Sequence, residues 1–259
     1  MTKETVNLLW TGGWDSTYRL VELSRTNKRV QPIYVHGEGR ISENYEIRAM
    51  NRVLEGLAKK KETTAEILPI KYVLFNSIEL REDISKAYHS IADTIHFGTQ
   101  YEWLPCLALE YPSLEIGIEK APPEQSGAIN AVKTFGKMVF DETSGTYILD
   151  KENSSEELVL VYGNLRFPII EKDATEMKAN IVEWGYEDIM ENVWMCFRPI
   201  FGKPCGLCNP CKSKMESNMA FLLPPVSKKR YYNRNNEKKV SFYRYLQILS
   251  YKIDKLKFR

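Results

Sequence analysis

One stretch near the start constrains the fold more than any other: Val6-Asn7-Leu8-Leu9-Trp10-Thr11-Gly12-Gly13-Trp14-Asp15-Ser16-Thr17-Tyr18-Arg19-Leu20. Residues 6–10 are apolar apart from Asn7, which predicts a short buried strand. Gly12 and Gly13 come next, where a tight turn or a close backbone approach needs residues without a Cβ. Asp15, Ser16 and Thr17 then offer N-cap chemistry for a helix carrying Tyr18, Leu20, Val21 and Leu23. Strand, glycine turn and helix N-terminus are how a fold builds an anion site, because free backbone N–H groups point outward and the helix dipole adds about half a positive charge. No Lys comes after the glycines as a kinase-type P-loop requires, and the G-x-G-x-x-G of a dinucleotide fold is absent. The alternative is an ordinary strand-to-helix turn.

Strand and helix patterns then alternate along the chain. Residues 30–36 predict a second strand, broken by Gly37 and Gly39. Residues 43–60 have helical spacing, with Ile47, Met50, Val53, Leu54 and Leu57 on one face. Residues 65–74 predict a third strand, 79–95 and 101–111 two helices, 114–118 a fourth strand and 126–140 a further helix. Such alternation predicts parallel βαβ units, whose ligands bind at the carboxyl ends of the strands, where Trp10 to Gly13 lie. Residues 146–170 break the pattern. Tyr147-Ile148-Leu149 and residues 158–162 predict a hairpin, and Gly163-Asn164 turns into 165–170, together a small β excursion outside the main sheet. Asp173 predicts the cap of a helix reaching Trp184, with Met177, Ile181 and Trp184 on its inner face.

The 259 residues, 43% hydrophobic and 12% aromatic, suffice for a normal core. No apolar run reaches the about 18 residues of a spanning helix, so no membrane partner is expected. Met1-Thr2-Lys3-Glu4 runs straight into the first strand, which leaves no room for a signal peptide and predicts a cytoplasmic protein. The net charge of +2 hides an asymmetry: residues 226–259 carry eleven Lys or Arg against two acids, a net of +9, and leave the body at −7. Cys106 stands alone in an apolar stretch and is either a nucleophile or, as that stretch favours, a buried core thiol. The other four cysteines, Cys196, Cys205, Cys208 and Cys211, fall within sixteen positions. In a reducing compartment that clustering indicates a metal rather than disulfides. Four soft thiolates suit zinc in a closed, structural, tetrahedral site, with Gly206, Asn209 and Pro210 in the tight turns between ligands.

The turn Thr11-Gly12-Gly13-Trp14-Asp15-Ser16 resembles the S-G-G-x-D-S loop of the PP-loop ATP pyrophosphatases, with Thr11 supplying the first hydroxyl. Together with Trp194-Met195-Cys196 and the remaining three cysteines it resembles the 7-cyano-7-deazaguanine synthases of queuosine biosynthesis, as a divergent member. Pro168-Ile169-Ile170 with Lys172 is similar to the segment before that family's zinc knuckle. Residues 37–47 are similar to its Tyr-Gly-Gln-Arg-His-x-x-Glu-Ile, with Glu46 at the Glu. The resemblance implies a Rossmann-like parallel sheet of the adenine nucleotide alpha hydrolase type over 1–214, including the zinc knuckle 194–214, and a basic, helical extension over 215–259.

It also implies a chemistry. ATP with Mg²⁺ adenylates the carboxylate of a 7-carboxy-7-deazaguanine-like deazapurine, ammonia displaces AMP, and a second ATP converts the amide to the nitrile. Thr11, Gly12, Gly13 and Ser16 then hold pyrophosphate within the nucleotide-binding stretch Trp10 to Thr17, where Trp14 and Thr17 also fall, and Asp15 places Mg²⁺. Lys172 and Arg40 either meet phosphate or carboxylate charge or are surface cations. His36 either contacts adenine or simply ends its strand; His89 and His96 have no partners to name.

Two stretches depart from the family. Its Pro-Gly-Arg-Asn falls at Phe97-Gly98-Thr99-Gln100-Tyr101, and its Asp-x-Ser-Gly-Tyr-Pro-Asp-Cys falls at residues 119–127, with no Pro-Asp-Cys. Both belong to the purine-reading half. Relatives of this sort occur in phage defence, which admits a second function: joining an adenylated deazapurine to a macromolecular amine on a protein or nucleic acid. A third is a non-catalytic zinc-containing binding module. In the tail, basic residues interleave with aromatics, as in nucleic-acid binders. Yet Val240, Tyr243, Leu246, Leu249, Ile253 and Leu256 have helical spacing that favours docking on this domain or a partner, a homodimer included.

Overall fold

The computed structural model describes residues 3–37, 39–217 and 219–257. Met1 and Thr2 of the start, Glu38 of the 37–47 stretch, and Phe258 and Arg259 of the tail lie outside the described residues, as does Asn218. The chain clusters into two units, one of Met1–Thr11, Asp15–Glu38 and Leu57–Asn180, the other of Gly12–Trp14, Gly39–Gly56 and Ile181–Arg259.

In the first unit β1 (Thr5–Leu9) runs into α1 (Trp14–Ser24), and β2 (Arg29–His36) returns parallel beside β1 with Ile33 opposite Leu9. After α2 (Glu43–Leu57), most of which clusters with the second unit, β3 (Glu66–Ile67) and β4 (Lys71–Leu74) both pair parallel with β2. Next come α3 (Glu82–Ala92), α4 (Gln100–Glu110), β5 (Leu114–Glu115), α5 (Gly127–Phe135), the hairpin β6 (Met138–Asp141) and β7 (Thr146–Leu149), α6 (Glu156–Tyr162) and β8 (Leu165–Arg166). The sheet order is β3-β2-β1-β5-β8, with β4 also on β2 and the hairpin a separate sheet. This is a mixed α/β fold with a mostly parallel central sheet. The chain leaves β1 toward one edge and comes back to the other, so the carboxyl end of β1 is the topological switch point, where open α/β sheets bind ligands.

Buried side chains close this unit: Ile33 and Val35 from β2, Leu114 and Leu165 from β5 and β8, Leu104 and Leu107 from α4, and Leu158 and Tyr162 from α6 share one cluster. Cys106 is buried there too, on α4.

Several sequence expectations are corrected. The third strand is two. Pro69 offers no N–H between β3 and β4, and the Gln31 side-chain amide donates to its carbonyl at 2.9 Å. Residues 158–162 are helical, not half of a hairpin. Ser155 caps α6 by accepting from the Leu158 amide at 3.2 Å, and Glu156 and Glu157 fill its first turn. A short apolar run alone does not separate helix from strand, and the cap decides it. The hairpin partner of β7 is instead β6, because the helix expected over 126–140 stops at Phe135. A Cβ on Gly136 would lie 2.2 Å from the Ser154 hydroxyl. The strand β8 is not outside the main sheet but extends it, Leu114 pairing with Leu165. Finally, α1 begins at Trp14, so Asp15, Ser16 and Thr17 form its first turn and do not precede it as caps.

The helix α7 (Ala174–Trp184) is capped as expected: Asp173 accepts from the amides of Thr175 and Glu176 at 2.8 and 2.9 Å. Met177 and Ile181 are buried and Trp184 half-buried. The second unit continues with α8 (Glu187–Met190), the cysteine segment, α9 (Asn209–Glu216), α10 (Pro225–Tyr232) and α11 (Glu237–Lys257). Tyr243 and Leu246 of α11 pack on the cluster formed by the cysteines, Ile200 and Leu223. The predicted apolar stripe of α11 is only partly covered. Val240, Tyr243, Leu246 and Ile253 are half-buried, but Leu256 is 76% exposed and Leu249 lies at the edge. Polar anchors rotate the packed face: the Ser250 hydroxyl accepts from the Phe201 amide at 2.8 Å, and Tyr45 donates to Asp254 at 2.8 Å. Among the described residues no helix is long and apolar enough to cross a membrane.

Candidate functional site

The four cysteines predicted as metal ligands come together. Their sulfurs all lie within 4.8 Å of one another, with Cys205–Cys211 at 4.0 Å and Cys196–Cys208 at 3.9 Å. A tetrahedral ion with Zn–S bonds near 2.3 Å sets its sulfurs about 3.8 Å apart, so the spacing fits zinc with little movement. Local sequence builds the cage. Phe201 and Gly202 both have positive φ, 49° and 76°, which folds residues 200–203 into a tight hairpin closed by reciprocal Ile200 and Lys203 hydrogen bonds. The Cys205 amide then donates to Cys196 Sγ at 3.1 Å, and the amides of Leu207 and Cys208 donate to Cys205 Sγ at 3.3 and 3.2 Å. Gly206, at φ 77°, makes that turn, and a Cβ there would lie only 2.1 Å from the Ser227 carbonyl oxygen.

The charges also call for an ion. Four thiolates at this separation need a cation to coexist. Cys196, Cys205 and Cys211 are buried and Cys208 is half-buried, a closed set with no open coordination position. Trp194 supports the cage: its indole N–H donates to the Cys196 carbonyl at 2.8 Å, and its ring stacks on Tyr45 at 4.7 Å and 17°.

The glycine turn comes directly after β1. In the first unit, Trp10 is fully buried and donates its indole N–H to the Thr17 hydroxyl at 3.0 Å. Thr17 is fully buried and Ser16 nearly so, at 9% exposure; Thr11 and Asp15 are half-buried. Gly117, just past β5, comes so close that a Cβ would lie 2.9 Å from the Ser16 amide nitrogen and 3.1 Å from the Asp15 carbonyl carbon. Within the second unit, Gly12 has φ 70°, its carbonyl accepts from the Trp194 amide at 2.8 Å, and a Cβ would meet Met50 at 3.0 Å and the Glu46 carbonyl at 3.2 Å. Gly13 is half-buried, and Trp14 is buried with its ring edge-on to Phe221 at 5.8 Å. Of the first unit's residues in the turn, Thr11 and Asp15 therefore keep partial exposure.

The other candidates are engaged by neighbours. Lys172 pairs with Glu22 at 3.4 Å and Glu176 at 3.9 Å. Burial opposes its charge, yet Glu22, Tyr18 and Glu176 together outweigh that and raise its pKa, so it stays a cation. Arg40 pairs with buried Glu46 at 3.4 Å, and the Ser42 hydroxyl donates to the same carboxylate. His36 ends β2 and meets Tyr72 edge-on at 6.1 Å. His89 reaches Glu102 at 3.3 Å.

Sequence reading missed the residues that hold the turn's helix. Arg19 on α1 donates through Nε and Nη2 to both oxygens of Glu115 on β5. Glu115 lies between Leu114 and Ile116 in the predicted fourth strand, and a lone carboxylate in such an apolar strand signals a buried cation partner. No protein-family model matches this chain, and no curated protein matches it either.

Proposed function

We propose that the chain is an ATP-dependent enzyme of the PP-loop type that adenylates a deazapurine-like carboxylate with loss of pyrophosphate, and then passes the acyl group to a nitrogen nucleophile with loss of AMP. One observation carries this reading: the glycine turn, with Gly12 at positive φ, leaves the carboxyl end of β1 where the sheet order switches. Thr11 supplies a hydroxyl for the diphosphate at the N-terminal end of α1, and Asp15 supplies a carboxylate that would hold Mg²⁺. The metal would neutralise phosphate charge as the P–O bond breaks. A carboxylate is a poor electrophile, and exchange into a mixed anhydride with AMP gives it a good leaving group. The chain's part is positioning. Zinc in the four-cysteine cage holds the segment that carries Trp194 and is structural.

The acceptor is a second question. Where the deazaguanine synthases carry Pro-Gly-Arg-Asn, Phe97 and Tyr101 are buried and stack at 4.5 Å and 8°, against Tyr88 and Tyr162. The stack supports a carboxylate other than 7-carboxy-7-deazaguanine, and the second form of the reading has a macromolecular amine in place of ammonia. Incubation with ATP, Mg²⁺, ammonia and 7-carboxy-7-deazaguanine tests the first form, AMP and pyrophosphate being the expected products. AMP without nitrile, and a mass shift on a co-expressed protein that Asp15→Ala abolishes, would select the second. No AMP with any carboxylate or acceptor would leave a non-catalytic zinc-containing module.

A further inference from the structure

The second unit contains a cleft of about 390 Å³ beside the cysteine cage, and its charge is of one sign. Arg198, Lys212, Arg234 and Arg244 line it together with Phe197 and Gln247, and among the described residues no Asp or Glu does. None of the four cations has a carboxylate partner among the described residues. The buried and half-buried cations Arg19, Arg40, Arg166 and Lys172, by contrast, each sit in an ion pair.

Like charges around one concavity repel one another, and a cleft concentrates the resulting field. The groups are held in place. Arg198 stands two positions after the ligand Cys196, and Lys212 lies on α9 directly after Cys211. Arg234 stacks on Tyr231 with its guanidinium carbon 3.8 Å from the ring centroid. Arg244 and Gln247 come from α11, and Gln247 donates to the Arg198 carbonyl at 3.4 Å. Phe197 leaves half of its surface exposed at the same cleft, 53%.

We propose that this cleft binds single-stranded nucleic acid. The cations meet successive phosphates, and Phe197 offers a face on which a base stacks. Planar guanidiniums and a bare ring match phosphodiester and base better than the carboxylates of an acidic peptide, which need no ring. An exposed ring needs a base with a free face, which a single strand offers and a duplex, whose bases are paired and stacked, does not. Two of the cations lie outside the basic tail, so the site belongs to the cage and α11 together.

The test uses the full-length, zinc-loaded chain and a fluorescein-labelled oligo-U of about 20 nucleotides, read by anisotropy between about 50 and 200 mM salt. Four phosphate contacts on a single strand predict a slope of log K against log salt near −3, a loss of about 50-fold over that range. Arg198→Ala, Arg234→Ala and Arg244→Ala should each reduce the slope by about 0.7. Phe197→Ala should weaken binding on the order of tenfold while leaving the slope unchanged. Lys255→Ala, outside the cleft, should change neither. Zinc content of each variant reports that the cage is intact, and ATP turnover should be the same in all of them, so failure here is distinct from failure of the adenylation reading. Absence of binding at the lowest salt, an unaltered slope in the triple Arg variant, equal competition by polyglutamate, or equal affinity for duplex would each overturn the proposal.

Discussion

Arg19 holds Glu115 through two hydrogen bonds of 2.8 and 2.9 Å, and both residues are more than nine-tenths buried. The pair joins the helix after the glycine turn to the strand beside β1. Burial opposes the Arg19 charge, but the hydrogen bonds and charge of Glu115, with Glu22 adding its own, outweigh that and raise its pKa. Breaking such a pair strands a buried charge. Glu115→Gln should destabilise the fold by about 3 kcal/mol, near the lower end for buried pairs because Glu22 still meets Arg19. Arg19→Met with Glu115→Leu should recover most of that loss, since the desolvation penalty goes with the charges. Urea titration of the single and double variants decides it; additive losses would contradict the coupling.

Gly117 is a packing requirement of the same turn. Alanine there would drive its Cβ into three backbone atoms, Ser16 N at 2.9 Å, Asp15 C at 3.1 Å and Ser16 Cα at 3.1 Å. Backbone cannot yield as a side chain can, so the first turn of α1 must shift. Gly117→Ala should cost about 1–3 kcal/mol in stability and, on the adenylation reading, at least about tenfold in AMP formation. Gly98→Ala, whose Cβ would meet only ordinary contacts at 3.6 Å, serves as the comparison. AMP formation unchanged in Gly117→Ala would separate the turn from catalysis.

Legibility in the sequence divides along physical lines. The strands β1 and β2 and the helices α2, α3 and α4 announce themselves by period and by apolar content, because each buries one face. The cysteine cage is legible because ligand spacing is a local property. The segment from Gly136 to Tyr162 is misread because its outcome rests on two serine contacts: Ser155 capping α6, and Ser154 crowding Gly136. Neither is visible in the hydrophobicity of Leu158 to Tyr162. The one-sign cleft is also hidden. Arg198 and Arg244 stand 46 positions apart in the chain, and only the docking of α11 on the cage makes them neighbours.

The cage makes its own prediction. The chain should be isolated with one zinc, measured by plasma mass spectrometry, and chelation should release the order of residues 194–232 and α11 while the parallel sheet persists. Hydrogen exchange would show protection lost in the second unit alone. Cys205→Ser should abolish zinc retention, as that sulfur accepts two amides besides the metal. Gly206→Ala should lower zinc affinity on the order of 10–100-fold without touching a ligand, because positive φ and the Ser227 carbonyl at 2.1 Å both exclude a side chain. A loss of sheet protection on chelation would mean that the metal holds more than its own unit.

The β6–β7 hairpin should respond to acid. Hydrogen bonding from the Ser144 hydroxyl, and then from Arg166, holds the Asp141 carboxyl down at about 2. Arg166 Nη1 reaches Asp141 at 3.0 Å and lies on β8, so this cluster fastens the hairpin to the main sheet. The folded value is below that of the unfolded chain, near 3.9, so the contribution to stability is present above about pH 4 and is lost as pH falls toward about 2. Carbon-detected titration of Asp141 should therefore show a midpoint well under the usual carboxylate range, and Ser144→Ala should move it upward. Amide protection at Gly145, whose N–H donates to the Asp141 carbonyl at 2.8 Å, should fall over the same interval in the native protein and be low throughout in Asp141→Asn. An Asp141 midpoint near the unfolded value in the native chain would show that Arg166 and Ser144 do not act on it, and the hairpin would then have to be held by its apolar contacts alone.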